Sequence, residues 1–203
     1  HSKKLELLKD HKKGLMQNLF PQDGEKVPKL RFKEFENSGE WEEKKIEDVV
    51  IAENSNIALN KLNLKSSGYP VYGADGIIGY IDDFQQIDKY ISIVKDGAGV
   101  GRLNLCENQS SLLGTLTYLK SRNLKSYDLT WIYYLLNTVD FFTFVKGSGI
   151  PHIYYSDYKN KNIVVPNLSE QQKIASCFSS LDEIIEAQTE AIEQLKLHKK
   201  GLM

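Results

Sequence analysis

The sequence predicts an α+β protein: a β-rich globular body, a short helix before it and a long coiled-coil helix after it. Three observations carry this. A segment recurs at the two ends, residues 5–16 reading LELLKDHKKGLM and residues 192–203 reading IEQLKLHKKGLM, with nine of twelve positions identical. Apolar residues toward the C-terminus keep a 4,3 spacing over four heptads. Between Tyr69 and Leu119, short β-branched or alternating runs are separated by glycine turns.

In chain order, residues 2–19 are expected to form a helix, because Leu5, Leu8, Lys12 and Leu15 match Ile192, Leu195, Lys199 and Leu202 in the repeat. Phe20-Pro21-Gln22-Asp23-Gly24 breaks it, and the stretch to Gly39 reads as a surface linker. Residues 41–49 suggest a short helix. Strands are expected at 69–72, 77–81, 90–94 and 102–106, with turns at 73–76 and 96–99. Asp128 is placed to cap a helix over 129–138 that turns Trp131, Leu135 and Leu136 inward. Residues 141–145 and 163–165 read as further strands. Ser169 and Gln172 form a capping-box pattern that opens the last helix. Its seam runs Ile174, Phe178, Leu181, Ile185, Gln188, Ile192, Leu195, Lys199, Leu202, with seven of nine apolar. A helix of that length spans about 50 Å, more than one small body covers, so the seam calls for another helix. The expected division is 1–19, 20–166 and 167–203.

Composition narrows the function. With 41% hydrophobic and 26% charged residues among 203, the chain reads as globular and not disordered. No apolar run approaches the roughly 20 residues of a membrane span, and no apolar signal segment follows the charged start His1–Lys4. Cys106 and Cys177 lie far apart, which fits free thiols in a reducing, cytoplasmic compartment. No Cys or His cluster has metal-ligand spacing, and no cofactor is expected. The net charge of −1 argues against binding nucleic acid by bulk charge. The distribution is uneven, however: residues 17–88 hold 8 Lys/Arg against 14 Asp/Glu, while 89–165 hold 9 against 5.

Catalytic patterns fail one by one. Gly97-Ala98-Gly99-Val100-Gly101 follows an apolar strand, but Arg102 stands where a dinucleotide fingerprint needs its third glycine, and a strand follows instead of a helix. No Gly-Lys-Ser/Thr occurs. His152 has no evident nucleophile beside it. Adjacent Asp82 and Asp83 point apart on a strand or turn, and the Asn/Asp-Pro-Pro-aromatic motif of amino-methyltransferases is missing. What remains is binding chemistry. Loop 95–102 (KDGAGVGR) and loop 146–152 (KGSGIPH) join glycines to flanking cations, a combination suited to phosphates. Residues 120–125 add three cations.

Four stretches together carry a family resemblance: Tyr69–Tyr80 (YPVYGADGIIGY) with the 96–101 glycine turn; loop 146–152 followed by Tyr158-Lys159-Asn160 and Ile163–Pro166; Pro166–Ala175 (PNLSEQQKIA) opening a long helix; and the His-Lys-Lys-Gly-Leu-Met repeat leading into Phe20-Pro21. In that order the chain resembles one half of the specificity subunit of type I restriction–modification enzymes. The resemblance implies a non-catalytic DNA-reading component, a target-recognition domain on a spacer helix, reading one part of a split double-stranded DNA site. It also implies methyltransferase subunits and a translocating nuclease subunit as partners. On this reading Lys95, Arg102, Lys120, Arg122 and Lys146 approach phosphates, while Ser148 and His152, with Tyr72, lie near base edges in the major groove. Ile174, Phe178, Leu181, Ile185, Gln188, Ile192, Leu195 and Leu202 would meet another helix, in a homodimer if a second copy supplies it. The alternatives are a coiled-coil protein-interaction scaffold that does not bind DNA and the recognition end of a fused methyltransferase.

Overall fold

Lys12 and Asp182 meet at 2.5 Å, and Phe20 stacks on Phe178 at 6.0 Å between ring centroids, so the first helix runs antiparallel to the last. These are α1 (Ser2–Leu19) and, at the other end of the chain, a helix of 34 residues, Leu168–Gly201. The structure is a computed structural model and describes residues 2–147 and 149–201. It divides into two units: the two ends of the chain, up to Glu42 and from Pro166 on, and the stretch Glu43–Val165. Among the described residues no helix is long and apolar enough to cross a membrane.

In the helical unit the long helix buries Ile174, Phe178, Leu181 and Ile192. Ile185 and Gln188 are half-buried, and Leu195 is 51% exposed. The first part of this seam is covered by another helix, α1 of the same chain. Leu202 and Ser148 lie outside the described residues. The long helix starts one residue earlier than expected. Asn167 accepts from the Glu170 amide at 3.0 Å, and Ser169 already sits in the first turn.

The linker belongs to this unit, so the globular part begins at Glu43 and not at residue 20. Phe20 and Trp41 are both buried and meet edge to face at 6.3 Å. Arg31 grips Glu170 with two bonds of 2.8 and 2.7 Å, and Trp41 Nε1 donates to the same carboxylate at 3.3 Å. Glu170 is 1% exposed, a buried carboxylate whose charge is met by the guanidinium and the indole N–H.

The globular unit opens with β1 (Glu42–Lys45), α2 (Ile46–Val49) and β2 (Val50–Asn54). Residues 41–49 are therefore strand then single turn, not one helix. Ile46 and Val49 are the buried pair, and the Asp48 carboxylate accepts from the Lys45 amide at 2.8 Å to start the turn. Next come β3 (Tyr69–Gly73), β4 (Gly76–Ile81), β5 (Tyr90–Val94), β6 (Leu103–Cys106), β7 (Ser111–Leu112) and β8 (Leu116–Ser121). The antiparallel sheet β2-β8-β5-β6 is central; β4-β3-β7 is mixed, with β3 and β7 parallel. Every residue of β5 is buried, so both faces of this strand are covered.

Asp128 caps α3 (Leu129–Leu136) as expected, accepting from the Trp131 amide at 2.8 Å, and Trp131, Leu135 and Leu136 are buried. Phe141–Phe144 is a 3₁₀ turn and not a strand, because the Asp140 carboxylate accepts from the Phe142 amide at 3.0 Å and tightens the backbone. The chain then forms α4 (Tyr155–Tyr158) and β9 (Asn162–Val165), and β9 pairs with β1. The long helix at the end is α5.

Candidate nucleic-acid interface

The two glycine loops are brought together. Gly97 N donates to Pro151 O at 2.9 Å and Ile153 N to Lys95 O at 2.8 Å. Lys146 and His152 exchange both backbone bonds at 2.9 Å, closing the second loop on itself. Lys95, Arg102, Lys146 and His152 thus share one edge of the globular unit, beyond the end of β5.

The glycines there serve the backbone. Gly101 has φ +84°, and a Cβ on it would lie 2.9 Å from Phe141 Cβ. Gly147 has φ +90°, and a Cβ would lie 2.6 Å from Ile150 O and 2.8 Å from His152 Nδ1. The amides of Gly97, Val100, Gly101 and Arg102 all donate to carbonyls of this chain. In loop 95–102 these four amides are therefore already engaged within the chain.

Each of the two exposed cations holds a carboxylate. Arg102 pairs with Asp75 at the tip of the β3–β4 hairpin, and Lys146 pairs with Asp157 at 2.6 Å. The Lys146 ammonium and the Tyr154 amide hold the Asp157 carboxyl below its usual range. His152 is half-buried, its ring 5.3 Å from that of Tyr154 and its Nδ1 3.3 Å from Ile150 O. Lys95 is half-buried.

Lys120 and Arg122 lie elsewhere. Lys95 N bonds to Thr115 O, whereas Lys120 is five residues further along β8, about 16 Å away at strand rise. Lys120 pairs with Glu53 at 2.9 Å, and Arg122 Nε donates to Glu47 O at 2.7 Å. Arg122 also sits beside the Tyr155 hydroxyl, which burial pushes above its ordinary value and the guanidinium draws back. Tyr72 is a correction. It is buried in the core with Tyr90, Cys106 and Tyr118, and its hydroxyl accepts from the Glu107 amide at 3.1 Å, so it offers no surface to DNA.

Sequence reading missed Phe142 and Ile150, which are 72% and 71% exposed and flank the paired loops with half-exposed Tyr154. Within the 3₁₀ turn Phe141 is buried and Phe142 is exposed, a difference the Phe-Phe-Thr-Phe run does not announce. Among the described residues no group of three or more His, Cys, Asp or Glu is placed to hold a metal ion.

Known proteins share this architecture. The solved S subunit of a type I restriction-modification system from M. genitalium superposes with a TM-score of 0.69 at 24% identity, covering 82% of this chain and 44% of that one. The HsdS subunit from Thermoanaerobacter tengcongensis gives 0.58 at 17%, covering 94% and 47%. By sequence, the type I restriction enzyme MjaVIII specificity subunit of Methanocaldococcus jannaschii is 33% identical over 115 residues, 56% of this chain and 27% of that protein. The putative MjaX specificity subunit of the same organism is 25% identical over 190 residues, 81% and 44%. The chain spans less than half the length of these curated relatives. The sequence profile of the type I restriction modification DNA specificity domain matches residues 38–197, from ahead of β1 to the late turns of α5 and through both glycine loops, and on that match the chain belongs to this family of non-catalytic specificity domains.

Proposed function

We propose that the globular unit reads one half of a two-part double-stranded DNA site, and that the helical unit fixes its distance from a second reading unit. The observation that carries this is the joining of loops 95–102 and 146–152 by backbone bonds, which gathers Arg102, Lys146 and His152 on one edge. Arg102 and Lys146, with Lys95, meet phosphates and position the unit; His152 reaches base edges. Lys120, on β8, and Arg122, just past its end, meet phosphates away from this edge. Phe142 and Ile150 supply apolar contact beside the cations.

The activity itself belongs to partners: methyltransferase subunits that modify the site and a translocating nuclease subunit, acting together in the cytoplasm. Two copies of this chain joined through their long helices would present two reading units to a palindromic split site. The test is to express the chain with its methyltransferase partner and sequence the methylated positions genome-wide. A single split motif is the expected result. Methylation without a shared motif, or unchanged when residues 43–165 are replaced, would refute the reading.

A further inference from the structure

We propose that Asp140 and Phe142 form a base-reading site for cytosine, in the cleft between the Phe141–Phe144 turn and the 95–102 loop. The inference deepens the DNA-reading proposal and rests on it.

The cleft lies wholly within the globular unit. It holds about 240 Å³, and Gly99, Gly101, Arg102, Asp140, Phe141 and Phe142 are among the residues that line it. Close packing of the turn against the loop fixes its floor: Phe141 is buried, and Gly101 leaves no room for a Cβ beside it. Arg102 is a phosphate contact of the proposed interface, so the cleft is continuous with that edge.

Two side chains there have little use within the chain. Phe142 exposes most of its ring to solvent. Asp140 is exposed too, and among the described residues no cation pairs with it, whereas Asp75 holds Arg102 and Asp157 holds Lys146. One Asp140 oxygen accepts from the Phe142 amide at 3.0 Å, which pins the carboxylate and leaves its second oxygen for a donor from outside. A carboxylate that no cation neutralises repels phosphate, so its partner on a duplex is a donor on a base edge.

The pattern selects one base. In the major groove guanine offers two acceptors, adenine an acceptor beside its amino group, and thymine an acceptor beside a methyl group. Cytosine alone offers an amino donor next to a bare C5–H edge, which suits a carboxylate oxygen beside a phenyl ring.

Asp140→Asn tests this and keeps the turn. The amide oxygen still accepts from the Phe142 amide, while an NH₂ replaces the second oxygen. The site then presents a donor beside the ring, the complement of thymine O4 and its methyl group. The full chain and the variant are each expressed with the methyltransferase partner, and the methylated positions are sequenced genome-wide. The expected result is a half-site in which one C·G pair becomes T·A and every other position is unchanged. Phe142→Ala, which removes an exposed ring, should relax that same position and no other. On the purified complexes, replacing that cytosine by an analogue without the amino group should weaken binding by the native chain about tenfold or more. The same replacement should not weaken binding by Asp140→Asn. A native half-site without a C·G pair, or the native motif kept by both variants, would overturn the proposal and leave DNA reading intact. A native complex that methylates without any motif would overturn both.

Discussion

The Gly97 amide donates to the Pro151 carbonyl at 2.9 Å, which makes neighbours of two loops far apart in the chain. Cations and an imidazole that the sequence scatters become one edge, and its parts can be tested separately.

Arg102→Ala and Lys146→Ala should weaken binding to cognate and scrambled duplex alike and each reduce the salt slope by about 1. His152→Ala should act differently, relaxing one base position at about 1–3 kcal/mol with the salt slope unchanged. Anisotropy titrations of the assembled complex across a salt series separate the two. Identical losses on both duplexes for all three variants would contradict the division.

Asp75 is a rival of phosphate for Arg102. Asp75→Asn should tighten binding to any duplex about 2–5-fold at low salt, and the gain should vanish as salt screens it. Weaker binding would show that Arg102 does not face the duplex.

Gly101→Ala should destabilise the chain by about 2 kcal/mol, because positive φ and the 2.9 Å approach to Phe141 both oppose a methyl group. Gly99→Ala is the control, where the nearest atoms to a Cβ lie at 3.7 Å, and it should shift stability by no more than about 0.5 kcal/mol. Urea unfolding measures both.

Removing Glu170 leaves Arg31 buried with no carboxylate to meet it. Glu170→Ala should cost about 3–5 kcal/mol, and Glu170→Gln less, because the amide oxygen still accepts from Trp41. Equal and small effects would place the pair in a more solvated setting.

Burial pushes the Cys106 thiol up to about 12 and raises that of half-buried Cys177 less strongly. Thiol reagent at pH 8 should modify Cys177 in the native chain and Cys106 only after denaturation. The folded thiol holds its proton more tightly than the unfolded one, near 8.5. The stabilisation linked to that proton is complete below the unfolded value and lost as pH climbs toward about 12.

The sequence reading located α5, the β3–β4 hairpin and both glycine loops because each rests on a local rule: heptads, alternation, and glycine where φ turns positive. It lost residues 41–49 because Glu-Glu-Lys-Lys carries no period, and its pairing with β9 is a long-range fact. It took 141–145 for a strand because three phenylalanines outweighed the nearby Asp140 carboxylate. Tyr72 went astray because alternation in β3 does not say which face holds the core. Lys120 and Arg122 were grouped with the loops on composition, and only the register of β8 shows the distance.

Strands β1 and β9 lie side by side, so the stretch Glu43–Val165 begins and ends at adjacent points of its own fold. A segment joined to its host at two adjacent points can be lifted out and replaced without rebuilding the host, provided the newcomer's ends are equally close. Glu170, Arg31 and Trp41 all stay behind in such a transplant. Two cuts, before Glu43 and after Val165, would release the globular stretch and leave the packing of the helical unit untouched.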